Sequence, residues 1–375
     1  MPEFHKLVNR KLNPVELANE RKDLIKKIQE ERGRGLIVFA SDNTKEKAPY
    51  LINQEDVTVF SDLIASLKGT DKVDIFIHSS GGYAEVAEML VKMLRANFSD
   101  ITYIVPRFAK SAATMMVCSG NQILMDYRSE LGPIDPQILL QGRRFAADAF
   151  SEGFKKILKE TEGNRLNPAY LPVLQNITPA DIQAVENAKL LSFSLVEDWL
   201  KQYMFKDLPT EEKETRAKRI SQWLGNHGTH LSHGRAITIN EAIKEGLNVE
   251  DYSKYKKLSP LIWKLYCNIE LAFSMTNIYK IYETEAVHLF KQIQILAERG
   301  LQIQPQKASA AEINNKCNKC SATKIFQLNF AKVPFKQTPY PKDDKYVCEN
   351  CGNNIDLRAL RLQVEGLMGK KAILD

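Results

Sequence analysis

The sequence predicts an α/β fold with a largely parallel sheet, followed by a helical segment and a small cysteine-bearing module. Three observations carry this. Short apolar runs alternate with amphipathic stretches between residues 15 and 125. Runs such as Ile75-Phe76-Ile77 lack polar alternation, which suits strands covered on both faces. Four cysteines gather after residue 316 as two Cys-x-x-Cys pairs.

Asn13-Pro14-Val15-Glu16 opens the first long helix. Asn13 can cap it, Pro14 suits the first helical position, and Glu16 can complete a capping box. Leu17, Leu24, Ile25 and Ile28 follow at helical spacing, and Gly33 ends the run. Leu36 to Ala40 reads as a buried strand. Val57 to Leu67 is a helix with Phe60, Leu63, Ile64 and Leu67 on one face. Val73 to His78 is a strand, and Tyr83 to Asn97 a helix striped by Val86, Ala87, Leu90, Val91 and Leu94. Ile101 to Val105 is a strand, Ser111 to Cys118 a short apolar helix, and Gln122 to Met125 a strand.

Residues 141 to 179 are less regular and read as an insertion or lid. Ala180 to Met204 is a long helix, and Lys206 to Lys218 a charged, solvated stretch. Ile239 to Gly246 is a helix with a glycine cap. Leu258 to Arg299 reads as one or two further helices, and Gln302 to Ser309 as a linker. The expected domains are 1–255, the α/β domain; 256–301, a helical extension; 302–357, the cysteine module with its linker; and 358–375, a C-terminal tail.

Of 375 residues, 44% are apolar and 26% charged, with 18 Gly and 15 Pro. That excludes a disordered, collagen-like or disulfide-dense chain and leaves room for two or three domains. No window reaches the ~18 uninterrupted apolar residues of a membrane span. Leu261 to Phe273 is broken by Lys264, Asn268 and Glu270, and Met1 to Leu12 lacks the apolar core of a signal peptide. The expectation is a cytoplasmic protein that engages no membrane.

Two segments stand out chemically. His78-Ser79-Ser80-Gly81-Gly82 joins a strand to a helix, and its glycines let backbone N–H groups face outward. Alone it reads as a tight turn. Phe108-Ala109-Lys110-Ser111-Ala112-Ala113-Thr114 opens the next helix with a serine. Alone, Ser111 reads as an N-cap. Together they admit another reading: Ser111 as a nucleophile, with N–H groups from Gly81, Gly82 and Ala112 as an oxyanion hole.

The order strand–Gly-Gly–helix–strand–Ser-Ala-Ala-helix–strand resembles the Clp/crotonase fold. Ala109 to Thr114, Ile123 to Asp126 and Leu131-Gly132-Pro133-Ile134-Asp135-Pro136-Gln137 resemble the serine dehydrogenase proteinase family, which is related to Clp protease and signal peptide peptidase A. His233, Ala236-Ile237-Thr238, Glu241-Ala242 and Gly246-Leu247 resemble the closing element of the same fold. The likeness spans roughly residues 15 to 255. It implies a serine peptidase for peptide or protein substrates, with Ser111 as nucleophile and homo-oligomers built through the Clp-like core.

A serine nucleophile needs a proton acceptor. Clp proteases place a histidine where this chain reads Leu131 to Gln137, which holds Asp135 but no His. Signal peptide peptidases use a lysine. Lys189 falls in the helical arc of Ile182, Val185, Phe193, Val196 and Leu200, so a desolvated amine and a Ser-Lys dyad are expected. Lys155, Lys156 and Lys159 have polar neighbours, and Lys110 is expected to point away from the Ser111 hydroxyl. His227, His230 and His233 cluster among glycines, with His233 as the reserve base.

Cys317 and Cys320 are separated from Cys348 and Cys351 by 27 residues. Such pairs can close a four-thiolate site for structural Zn²⁺, as in a zinc ribbon. Ile325, Phe326, Leu328, Phe330, Val333 and Phe335 are the expected hairpin core. The formal charge is +6, and residues 316 to 347 hold seven Lys against two Asp, so five of the six net charges fall there. The ribbon therefore reads as a modestly basic docking surface for a protein or nucleic acid. The competing reading of the whole chain is a catalytically silent Clp-like scaffold.

Overall fold

The computed structural model describes residues 2–45, 47–140, 142–161, 167–293 and 309–374. They divide into two compact units. The larger comprises residues 26–262 and 280–289, the smaller 1–25, 263–279 and 290–375.

Helices α1 (Glu3–Asn9) and α2 (Pro14–Arg32) come first in the chain. The expected capping box at α2 forms: Asn13 N–H donates to Glu16 Oε2 and Glu16 N–H to Asn13 Oδ1, both at 2.9 Å. Strands β1 (Gly35–Ser41), β2 (Lys72–His78), β3 (Asp100–Ile104) and, after the short β4 (Phe108–Ala109), β5 (Gln122–Met125) follow. β1, β2, β3 and β5 pair in parallel in that order. Every β1 residue is buried, as a strand covered on both faces requires.

Helix α3 (Glu55–Ser66) buries Phe60, Leu63 and Ile64, and α4 (Ala84–Asn97) buries Val86, Ala87, Leu90, Val91 and Leu94. Their stripes join Ile37, Phe39, Ile75, Ile77 and the apolar helix α5 (Ala112–Cys118) in one core. A second, small sheet runs β4, β6 (Glu130–Leu131), β9 (Ile237–Thr238). Between β6 and β9 lie the hairpin β7 (Gln137–Leu140) and β8 (Arg143–Ala146), then α6 (Ala147–Thr161), α7 (Leu171–Leu174), α8 (Pro179–Trp199), α9 (Thr210–Gly225) and α10 (His227–His230). Helix α11 (Ile239–Lys244) leads to β10 (Val249–Asp251), which pairs parallel to β5. The remaining helix of this run is α12 (Leu258–Met275).

Three stretches differ from the sequence expectation. Residues 141 to 179 contain the second half of a hairpin and the 15-residue α6, rather than irregular chain. Helix α6 carries an apolar stripe of Phe150, Phe154 and Ile157 but buries only Ala147 and Ile157 fully, and it packs against α8. The charged stretch 206 to 218 includes, from Thr210, the first nine residues of α9, which is not wholly solvated: it buries Ala217, Ile220, Ser221 and Leu224.

The third is the expected helical extension 256–301. It is helical only to Met275; Ile278–Glu283 is strand β11, antiparallel to β1, with Ser41 opposite Lys280 and Val38 opposite Glu283. All six of its residues are buried, and its Ile and Tyr pairs are strand formers. Residues 280–289 thus belong with the larger unit, beyond the expected boundary at 255. The expected linker, except Ser309, lies outside the described residues.

In the smaller unit, Ala310–Lys316 and Thr323–Asn329 form an antiparallel pair. Around this pair one buried cluster comprises Ala311, Ile313, Phe326, Leu328, Tyr340, Leu357, Val364 and Met368. Ile325 and Phe335, expected inside, are 37% and 48% exposed. Residues 358–375 are not a loose tail: Arg358–Met368 is a helix that brings Val364 and Met368 into that core. A small ribbon cannot bury enough surface alone, so the helix closes it.

Ile281 tests the β11 assignment, because it is fully buried in that strand. Ile281→Ala should lower unfolding stability by ~2–5 kcal/mol, read from the denaturation midpoint. A loss near zero would place this segment outside the core.

Candidate active site

The site is assembled by backbone pairing at the carboxyl ends of β2 and β4. Ser79 N–H donates to Phe108 O at 3.1 Å, and Lys110 N–H returns to Ser79 O at 2.9 Å. On the other side, Ile52 N–H donates to Gly81 O at 2.8 Å and Tyr83 N–H to Ile52 O at 3.0 Å. The glycine loop is therefore fixed from both flanks.

Close approach explains both glycines. A Cβ on Gly81 would lie 2.4 Å from Lys110 O and 2.8 Å from Ser111 Cβ; one on Gly82 would lie 2.3 Å from Ile52 O. Gly81 also has φ of 92°, which side-chain-bearing residues avoid. Its N–H donates to Ser79 Oγ (3.2 Å), which in turn receives Ser41 Oγ–H at 3.2 Å. Ala112 begins α5, so its N–H has no carbonyl within that helix.

Ser111 does not cap α5: its side chain accepts no helix N–H. Instead it has φ 51° and ψ −124°, a strained conformation for a residue with a Cβ. A serine on a strained strand-to-helix turn is the arrangement that lifts a nucleophilic hydroxyl out of the backbone. Ala112 and Ala113 are buried behind it. Thr114 Oγ1 ties the turn down, donating to Ala109 O (2.7 Å) and accepting from Gly132 N–H (3.0 Å).

The small sheet gathers other groups at the same end. β4 and β6 are parallel, and β9 is antiparallel to β6. Ser111 follows β4 by two residues, Asp135 follows β6 by four, and His233 precedes β9 by four, so all three flank one edge. Asp135 is fully buried, with His233 Nδ1 2.7 Å from its Oδ1 and His227 Nδ1 3.4 Å from its Oδ2. The sequence showed Asp135 and His233 separately; nothing local signals that residues 98 apart meet. The third histidine, His230, contacts Trp223 O at 2.8 Å, and burial holds its imidazole below the usual value.

Lys189 is not desolvated among apolar neighbours as expected. Its Nζ donates to Asp148 Oδ1 at 2.5 Å, and its side chain is 20% exposed. Asp148 Oδ2 also accepts the His227 N–H at 3.1 Å, so Lys189 joins the rim of the same polar cluster. Its helix, α8, packs against α5. Lys110 is engaged elsewhere, donating to Glu130 Oε2 (2.8 Å), Leu131 O (3.1 Å) and Arg235 O (3.2 Å). Burial pushes its amine below the usual value. Lys155, Lys156 and Lys159 are exposed, as their neighbours implied.

In the smaller unit, Cys317, Cys320, Cys348 and Cys351 place all four sulfurs within 4.8 Å of one another. Cys317 and Cys351 Sγ are 3.6 Å apart, as are Cys320 and Cys348 Sγ. That is too long for disulfides and close to the ~3.8 Å that a tetrahedral site with ~2.3 Å Zn–S bonds demands. The backbone N–H groups of Lys319 and Cys320 lower the Cys317 thiol, while, against the Asn353 N–H, burial and the neighbouring sulfurs raise that of Cys351. The donor set fits Zn²⁺. Among the described residues no helix is long and apolar enough to cross a membrane.

The model of the family described as ClpP-like SDH-type serine proteinase matches residues 4–262. Two uncharacterized proteins of Methanocaldococcus jannaschii are similar. MJ0137 is 26% identical over 48% of this chain and 53% of its own length; MJ1495 is 28% identical over 58% of this chain and 68% of its own. The chain thus spans about half the length of the first. Among solved structures, a mutant of the 1510-N membrane-bound stomatin-specific protease with a substrate peptide covers 53% of this chain and 70% of its own (14% identity, TM-score 0.34). ClpP1 from Listeria monocytogenes covers 61% of this chain and 94% of its own (14% identity, TM-score 0.32). With the matched span containing the glycine loop, the strained serine and the Asp135–His233 pair, the chain belongs to the ClpP-like SDH-type serine proteinase family.

Proposed function

We propose that this protein is a cytoplasmic serine peptidase that cleaves peptide bonds with Ser111 as nucleophile. The observation that carries the reading is the strained Ser111 turn packed against Gly81, with the Asp135–His233 pair at the same sheet edge. In this reaction the Ser111 oxygen bonds to the scissile carbonyl carbon and its proton passes to a base. The N–H of Ala112, with that of Gly82 or a reoriented Gly81, receives the negative carbonyl oxygen. The base returns the proton to the leaving amine, and water then releases the acyl group.

Two groups compete as the base. His233 is favoured: a buried carboxylate orients its Nδ1, which is how a serine's base is held in one tautomer. Asp135 stands where a Clp protease carries its histidine, and the histidine arrives from the segment before β9. The Ser-Lys dyad expected from sequence remains the second reading, supported by the place of Lys189 in the same cluster; its amine must first leave Asp148. The substrates are peptides or proteins, and the working form is a homo-oligomer. The ribbon holds one structural Zn²⁺ through its four cysteines, all ligand positions being filled by protein. Its lysines present a docking surface for a protein or nucleic-acid partner.

Ser111→Ala should lower peptide turnover by at least ~10³-fold and abolish labelling by a serine-directed fluorophosphonate. Full turnover in that variant would remove Ser111 from the mechanism; absence of both activities in the wild type would favour a silent scaffold. The base is read from pH–rate profiles. The two bases differ in which substitution removes the rising limb of the kcat/KM profile. His233→Ala should cost ~10³-fold or more, while Lys189→Ala leaves the limb in place. The opposite pattern would select the dyad. Elemental analysis should find one zinc per chain, and chelation should unfold the ribbon without lowering turnover of a short peptide. Purified protein lacking zinc would refute the site.

A further inference from the structure

We infer that the fully buried Lys280–Asp56 ion pair is a positioning device for the glycine loop beside Ser111. Neither residue touches the proposed substrate site; both act through the segment 51–56. The catalytic consequence rests on the peptidase reading, whereas the structural link does not.

Lys280 and Asp56 both have 0% exposed side chains. An ion pair removed from water is costly, and an apolar pair of the same size would fill the space more cheaply. What the ions add is direction. Lys280 Nζ donates to Asp56 Oδ1 (2.7 Å), Asp56 Oδ2 (2.9 Å) and Leu51 O (2.8 Å). Asp56 also receives the Tyr282 hydroxyl and, at 2.9 Å, the Asn53 N–H. These bonds converge on residues 51 to 56.

Ile52 lies inside that clamp. It donates to Gly81 O and accepts from Tyr83 N–H, and it leaves Gly82 no room for even a Cβ. Gly81 in turn packs on Ser111. A shift of segment 51–56 must therefore move the glycine loop. A second route runs through the sheet. Lys280 sits opposite Ser41 in register, and Ser41 reaches Gly81 N–H through Ser79 Oγ. Lys280 lies beyond residue 262, where the family match ends, so the site depends on a strand outside the matched span.

Hydrogen exchange read by mass spectrometry on the full chain tests the link, with Lys280→Met and Asp56→Asn as variants. Arg32→Met is the control, because it breaks another bond to a buried carboxylate, Asp74, near the start of β2 (2.7 Å). The expected result is at least ~10-fold faster exchange in residues 49–56 and 79–83 for both variants and not for the control. Turnover should fall ~100-fold in kcat with KM within about threefold, as for a misplaced oxyanion hole. Unchanged exchange at 79–83 in the folded variants would overturn the inference. If Lys280→Met fails to fold, Asp56→Asn decides. If the wild type shows no turnover, the peptidase reading falls while the exchange result still judges the link.

Discussion

The backbone of Gly81 lies so close to the Ser111 turn that no side chain fits between them. Much of the larger unit is arranged to permit that approach. β2 of the large sheet and β4 of the small one end side by side, and two backbone bonds through Ser79 lock them together. Ile52 braces the far flank. Strain at Ser111 persists because the surroundings over-determine it: Thr114, Gly132 and the buried alanines leave the turn no other conformation. Strain held in this way at a strand-to-helix turn is a recurrent feature of reactive serines.

Around this turn the polar groups are organised by topology. Parallel β4 and β6 and antiparallel β9 send their flanking segments to one edge. Asp135, His227 and His233 meet there, and Asp148 and Lys189 extend the cluster. A carboxylate with no solvent exposure is stable only when its oxygens are engaged, so Asp135 draws the two imidazoles to itself. The same rule operates at Asp56, which takes Lys280, Tyr282 and the Asn53 amide. Buried carboxylates thus hold both the histidine cluster and the segment that braces the glycine loop.

The smaller unit follows different physics. The cysteine ribbon with its closing helix buries a cluster of eight residues, few for an independent domain. Four sulfurs spaced for a tetrahedral ion offer the missing crosslink. Tyr340, Asp344, Arg361 and Glu365 add a polar clasp between loop and helix.

Much of the molecule was legible from sequence. The strand–helix alternation, the stripes of α3 and α4, the α2 capping box, the glycine–serine order and the paired cysteines are local patterns, set by side-chain period and backbone sterics. Other features required the tertiary structure. Residues 278 to 283 became a strand because β1 offered an edge and Asp56 neutralised Lys280 in the core. Lys189, placed by periodicity in an apolar arc, met Asp148 from another helix. Asp135 found His233 across 98 residues. The division has a physical reason. Helix stripes, caps and glycine turns depend on neighbours a few residues away, whereas the partner of a buried charge is chosen by which distant strands the sheet brings together.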